Sequence, residues 1–212
     1  MGRIRHLRSV VVMNENHARV CTSPEWAQYL QTEILPVLTR DAGLGEEMLE
    51  IGPGPGAATD WLRHKVKRLT AVEIDEAAAG ELVSRYADTN VEIVVGSGAE
   101  LSYPEASFDS VGSFTMLHHV PTTALQNKIL AEAFRVLRPG GVLIASDSLA
   151  SSGLHGFHEG DTYNPVEPAS VISRLQTIGF DKMTVTVDHA LLFAARKPSG
   201  ESSECGADSA DD

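Results

Sequence analysis

The stretch Glu50-Ile51-Gly52-Pro53-Gly54-Pro55-Gly56-Ala57 combines residue types that hold ligands with a spacing that exposes backbone to them. Glycine lets a chain turn tightly and lets a ligand approach the main chain. The stretch satisfies both a G-x-G-x-x-A dinucleotide pattern and a G-x-G-x-G pattern. Glu73 follows at about the 20-residue interval at which a carboxylate meets ribose hydroxyls. A second set of reactive side chains is histidine-rich: His118-His119, then His155, His158, Asp161 and Tyr163. Imidazoles titrate near neutral pH and suit proton transfer.

Two details of the glycine stretch favour a ligand without phosphates. Pro53 and Pro55 carry no backbone N–H, which removes donors that would cradle a pyrophosphate. Glu50 adds a negative charge suited to an ammonium. Both features point to S-adenosylmethionine, which carries an ammonium and a sulfonium. An NAD(P)-dependent oxidoreductase fits the glycines and Glu73 as well, and a non-catalytic cofactor-binding protein is the third reading.

These residues need a scaffold. Short apolar runs at 48–51, 69–74, 91–95, 110–115 and 142–146 are bounded by Gly, Pro or Asp and alternate with helical patterns. That alternation describes buried parallel strands. Helices are expected to begin near Ala57, Glu76 and Thr122, the last stopping at Arg138-Pro139-Gly140-Gly141. Ser23 before Pro24 reads as an N-cap with Pro at the first helical position, opening a helix with Trp26, Tyr29, Leu30 and Ile34 along one stripe. That stripe is either core packing or a cover over an acceptor pocket. A further helix runs from Pro168 to Gly179. Residues 183–187 and 191–195 alternate as an antiparallel hairpin at the sheet edge. The expected fold is thus α/β: a doubly wound, seven-stranded, mostly parallel sheet with a C-terminal antiparallel hairpin and helices on both faces. Such sheets bind ligands at the carboxyl ends of their strands.

In order and spacing, Met48 to Asp60 (MLEIGPGPGAATD), Ala71 to Asp75 (AVEID), Ser107 to Asp109 (SFD), Thr115 to Val120 (TMLHHV) and Val136 to Val142 (VLRPGGV) resemble class I S-adenosylmethionine-dependent methyltransferases. The pattern is similar to the small-molecule, ubiquinone/menaquinone-type branch and covers about Gly45 to Ala195. The resemblance implies a cofactor site of Glu50, Gly52, Pro53, Gly54, Gly56, Glu73, Ile74, Gly98, Ala99 and Thr115. Gly52, Gly54 and Gly56 would lie against the methionine part, with Glu50 near its amino group. Glu73 would hold the ribose, and Ile74 would pack on the adenine. The family usually has Asp-Ala where this chain has Gly98-Ala99, so Gly98→Asp is expected to tighten cofactor binding. The reaction would consume S-adenosyl-L-methionine and release S-adenosyl-L-homocysteine.

An acceptor that must lose a proton gains about 10²–10⁴-fold from a general base. His119 is the candidate beside the methyl group, and His158 and Asp161 are the candidates facing the acceptor. His118, His119, His155, His158, Asp147 and Asp161 could ligate a divalent ion, but no C-x-x-C or H-E-x-x-H spacing is present and no metal is expected.

The chain has 212 residues, 42% of them hydrophobic and 22% charged, which suits a folded domain rather than disorder. Its 17 basic against 29 acidic side chains give a formal net charge of −12. That field repels phosphate backbones, so a nucleic-acid partner is not expected. Basic clusters occur at Arg3, Arg5 and Arg8 and at Arg63, Lys65, Lys67 and Arg68. Cys21 and Cys205 do not form a disulfide framework, and no run reaches the roughly 18 apolar residues of a membrane span. The expectation is a cytoplasmic monomer or homodimer without membrane insertion. Its partner would be a small-molecule methyl acceptor. Residues 1–22 read as a partly flexible extension in which Met13 is a second candidate start. Residues 23–196 read as one methyltransferase domain, and 197–212 as a disordered acidic tail.

Overall fold

Five apolar runs become the parallel strands β1 (Glu47–Ile51), β2 (Arg68–Glu73), β3 (Val91–Val95), β4 (Phe108–Phe114) and β5 (Leu137–Asp147) in a computed structural model of the protein, which describes residues 14–200. Two antiparallel strands, β6 (Asp181–Val187) and β7 (Leu191–Arg196), complete one sheet of order β3-β2-β1-β4-β5-β7-β6. Chain direction across the sheet reverses between β1 and β4. A crevice opens beyond the strands' carboxyl ends at such a switch point. Arg3, Arg5, Arg8, Met13 and Cys205 lie outside the described residues.

Alternation along the strands sends side chains to two cores. Leu49, Val111, Leu143 and Phe193 pack on one face, with Ile129 of α6 (Thr123–Val136) and Leu175 of α8 (Pro168–Ile178). Met48, Leu69 and Ile144 point the other way, against Leu35 and Leu62. Each fully buried Leu or Ile contributes roughly 1.5–3 kcal/mol of transfer free energy. The remaining helices are α1 (Glu15–Cys21), α2 (Pro24–Tyr29), α3 (Leu35–Thr39), α4 (Thr59–Leu62), α5 (Glu76–Arg85) and α7 (Ser152–Phe157).

Ser23 caps α2 as expected, its hydroxyl accepting from Trp26 N. Residues Leu30–Ile34 widen into a π-helical segment that joins α2 to α3. Pro36 has no N–H to donate back to the preceding turn and its ring crowds that turn, so a wider turn ahead of it relieves both problems.

Several boundaries differ from the sequence reading. The helix expected from Ala57 starts at Thr59 and lasts one turn. The helix expected to stop at Arg138-Pro139-Gly140-Gly141 ends at Val136, but the strand expected from Val142 starts at Leu137 and takes those residues. Gly140 N donates to Lys197 O and Lys197 N donates to Gly141 O, so the ladder continues past the hairpin. Lys197 therefore belongs to the fold, not to a tail: its ammonium also donates to the carbonyls of Phe134, Arg135 and Leu137. At the other end, residues 15–21 are helical and capped by Asn14, and they bury His17. This part of the expected extension is a structural element.

Candidate active site

β1 ends in the glycine loop, and the backbone conformation there explains the residue types. Gly52, Gly54 and Gly56 all have positive φ, at 69°, 51° and 85°. A Cβ on Gly52 would lie 2.3 Å from Met116 Cγ, and one on Gly56 would lie 2.7 Å from the Tyr86 hydroxyl. A Cβ on Gly54 would meet nothing within 4 Å. The outer two glycines are thus closed by packing, and the middle one faces open space. Among these three, only Gly54 has open space beside its main chain.

Two carboxylates flank that opening. Glu73, at the end of β2, is buried and receives Gly54 N at 3.2 Å on one oxygen and Asp75 N at 3.0 Å on the other. Ile74 beside it is 46% exposed, leaving a flat apolar side chain on the rim. Glu50 is 1% exposed and accepts from Thr59 Oγ1 at 2.7 Å. Burial pushes its carboxyl up to about 7; the Thr59 hydrogen bond opposes the shift, and the charges of Glu73 and Asp60 add to it. A buried carboxylate held so high is one that a neighbouring cation would ionise.

Gly98 does not leave room for the side chain that the resemblance implies. A Cβ there would lie 2.4 Å from Ile51 Cγ2 on β1, so Gly98 is required by close packing against the first strand. Gly98→Asp is therefore a packing lesion, and the expected gain in cofactor binding is withdrawn. Ala99 is buried, and its N–H is already directed to Ser97 Oγ at 3.2 Å.

Thr115, at the end of β4, has φ of 52°, a costly conformation for a β-branched residue. Its N–H donates to Ser146 O at 2.8 Å, which ties β4 to β5 at the crevice. Thr115 also lines a cavity of about 410 Å³, a size suited to a small organic molecule. Trp26, Tyr29, Leu30 and Ile34 form one wall of it, with Ser146, Asp147 and Leu154 opposite. The stripe does pack in the core, through Leu30 and Ile34, and all four of its residues line this cavity.

The expected catalytic groups stand elsewhere. None of His119, His158 and Asp161 lines this cavity. Asp161 does not face an acceptor: it receives His17 Nδ1 at 2.8 Å and Asn14 N at 2.6 Å. His158 is buried, stacks on Tyr163 at 4.3 Å, and directs Nδ1 to Leu154 O at 2.7 Å. His118 Nδ1 lies 2.5 Å from Asp147 Oδ1, and the same carboxylate receives His118 N and Ser148 N. His119 packs on His118 at 4.0 Å between ring centres. Burial, then the neighbouring His118, His17 and His158, hold its pKa far below the usual value, so it is neutral. His155 is exposed. His17 escaped the sequence reading because it stands in an otherwise polar one-helix segment about 100 residues from its partners, with no motif spacing to mark it.

The turn that carries His118 is held from behind. Asn164 N donates to His118 O at 2.7 Å, and Gln126 Nε2 donates to Leu117 O and Asn164 O at 2.9 and 2.8 Å. The SFD and LRPGG stretches, by contrast, serve the opposite end of the sheet. Asp109 receives Arg138 Nη1 at 2.6 Å and the N–H groups of Glu46 and Glu47.

Comparison with known proteins agrees with this geometry. Residues 49–145 match the methyltransferase domain family. A Mycolicibacterium smegmatis protein named for S-adenosylmethionine-dependent methyltransferase activity is 33% identical over 144 residues, covering 65% of this chain and 52% of that protein. A Pyrobaculum islandicum protein named for methylation of small-subunit ribosomal RNA is 36% identical over 85 residues, covering 39% of this chain and 36% of its own. The chain thus spans about half, or less, of the length of these relatives. Among solved structures, Haemonchus contortus phosphoethanolamine N-methyltransferase 2 in complex with S-adenosyl-L-methionine superposes with a TM-score of 0.65 at 19% identity, covering 82% of this chain and 53% of that one. At that identity the likeness shows the fold. Residues 49–145 are thus similar to the methyltransferase domain family, and the whole sheet shares the fold of a solved methyltransferase.

Proposed function

We propose that the protein transfers a methyl group from S-adenosylmethionine to a small organic acceptor held in the cavity beneath Trp26 and Tyr29. The observation that carries this reading is the half-open cavity of about 410 Å³, which reaches Thr115 at the same strand ends that carry the glycine loop. The loop suits the cofactor on its own evidence: Gly54 opens onto free space, and Glu50 is a buried carboxylate whose raised pKa calls for a cation. When bound, the cofactor supplies an electrophilic methyl group on a sulfonium.

The chain's part is placement. Gly54 N and the Glu73 carboxylate would fix the ribose and amino-acid parts, Glu50 would face the ammonium, and Ile74 would cover the base. Well-oriented neighbours reach effective molarities of about 10⁵–10⁸ M, so alignment alone accounts for a large share of the acceleration. The aromatic wall would keep water from the reacting atoms. Asp147 is the carboxylate on the cavity wall, but three donors already engage it. This arrangement favours an acceptor that reacts without a strong protein base.

Calorimetry with S-adenosylhomocysteine and with NADH, followed by a mass-spectrometric screen for labelled products from an extract of small metabolites, tests the proposal. Binding of the first ligand and a labelled small product are expected. Binding of NADH alone would return the reading to an oxidoreductase, and tight cofactor binding with no product from any extract fraction would leave a non-catalytic binding protein.

A further inference from the structure

Four histidines from three separate segments meet beside the acceptor cavity: His17 from α1, His118 and His119 from the turn after β4, and His158 from the end of α7. One ring nitrogen from each lies within 4.8 Å of the others. Three of the four residues, His17, His118 and His158, are 2–3% exposed.

Three of the rings have their outward nitrogen engaged by an acceptor. Asp161 takes His17 Nδ1 at 2.8 Å, Asp147 takes His118 Nδ1 at 2.5 Å, and Leu154 O takes His158 Nδ1 at 2.7 Å. Carboxylates and carbonyls cannot donate, so the protons sit on those outward nitrogens and the tautomers are fixed. That leaves the second nitrogen of those three rings as a lone pair, in a cluster where one ring nitrogen of each histidine lies within 4.8 Å of the others. His158 Nε2 and His119 Nδ1 are buried and have no hydrogen-bond partner. Converging lone pairs with no donor between them repel, and a buried polar atom without a partner costs about 1–3 kcal/mol. Metal-ligating histidines have this same pattern, with the distal N–H given to a carboxylate or carbonyl that orients the ring.

We propose that His17, His118, His119 and His158 bind one divalent transition-metal ion of the zinc type. Imidazole nitrogens suit zinc, and four protein ligands complete its tetrahedron with no open position, as in structural sites. Zinc–nitrogen bonds of about 2.0–2.1 Å need the nitrogens about 3.4 Å apart, so a pair at 4.8 Å closes by about 1.4 Å on binding. The ion's role follows from what the ligands join. It staples α1 and the 152–161 segment to the core turn after β4, and so braces the wall around Leu154 and Asp147. Metal binding is read out without cofactor or acceptor, so it stands or falls separately from the proposed methyl transfer.

The test uses the purified full chain incubated with zinc sulfate, dialysed over chelating resin, and assayed for metal by mass spectrometry. One zinc per chain is expected, together with a rise in melting temperature and slower proteolysis between residues 151 and 161. Cobalt(II) in its place should give the intense visible bands of a tetrahedral site. His17→Gln and His158→Gln should each lose stoichiometric metal, whereas His155→Gln, in the same segment but exposed, should keep it. Because a core histidine variant could misfold, Asp161→Asn provides a milder arm, with far-UV circular dichroism as the folding check. Its loss of the carboxylate behind His17 should weaken zinc binding about 10–100-fold. Less than a tenth of a zinc per wild-type chain, or full retention in both glutamine variants, would overturn the site.

Discussion

Glu50 joins the protein's stability to its ligand. Its carboxyl is pushed up to about 7 in the folded protein, against an ordinary value of 4.5. Between those values the folded state holds a proton that the unfolded chain has released. Stability from this group is therefore present at low pH and is lost as pH rises from about 4.5 through about 7. The full shift corresponds to about 3 kcal/mol. Glu50→Gln keeps an acceptor for Thr59 and removes the titration. In chemical denaturation without ligand, the variant should match the wild type near pH 4 and exceed it by about 2–4 kcal/mol at pH 8. Equal stabilities at pH 8 would mean that the carboxyl is not burdened by burial. A ligand ammonium reverses the preference by favouring the anion. Binding of S-adenosylhomocysteine by the wild type near pH 6.5 should then release a proton, seen as a calorimetric heat that varies with the buffer's ionisation enthalpy. Glu50→Gln should abolish that variation and weaken binding by about tenfold or more.

Among the elements, the glycine loop separates packing from ligand contact. Gly98→Ala drives a Cβ to 2.4 Å from Ile51 Cγ2 and should destabilise the fold by about 1–3 kcal/mol, with the larger Asp costing more. Gly54→Ala pays for its positive φ, about 1 kcal/mol, but meets no atom within 4 Å. Its main effect should fall on cofactor affinity, which titration calorimetry measures alongside melting temperature. If Gly98→Asp bound cofactor more tightly, the packing account of that glycine would fail. Trp26→Ala should leave cofactor affinity within about twofold and raise the acceptor KM, since Trp26 lines the cavity wall.

The same elements show what a sequence exposes and what it hides. The strands were legible because buried parallel strands are short apolar runs between breakers, and Ser23-Pro24 announces a helix start through local capping chemistry. The glycines of the loop were legible as a group, but which of them packs and which opens depends on Met116 and Tyr86, residues far along the chain. The helix end before Arg138 was legible, but the start of β5 was placed too late because Pro139 and Gly140 look like a loop, whereas pairing with Lys197 keeps those residues in the ladder. The histidines were visible singly. Their meeting was not, because it is made by α1 and α7, and no local pattern records that His17 comes within ring contact of His119 and His158.

At the scale of the whole molecule, charge and direction bear on the acceptor. Three of the relatives are named for methylation of ribosomal RNA, and such a substrate needs cations near the reacting group. Here the run Arg63 to Arg68 lies at the start of β2, while Glu73 and the crevice lie at its end, about 16 Å away along the strand. Two of its cations are already paired, Lys67 with Glu46 at 2.5 Å and Arg68 with Glu47 at 2.7 Å. The crevice itself is bordered by Glu50, Glu73 and Asp147, in a chain of net charge −12. No described helix is long and apolar enough to cross a membrane. The proposed small acceptor makes a prediction at this scale. Anisotropy titration of a fluorescent ribosomal RNA fragment should accordingly give only nonspecific affinity, with a Kd no tighter than about 10⁻⁶ M, and no methyl incorporation into the RNA. Submicromolar binding that weakened steeply between 50 and 200 mM salt, and weakened further in Lys65→Glu, would place a phosphate backbone on the basic run. The small-acceptor reading would then have to give way to a substrate long enough to reach from that edge of the sheet to the other.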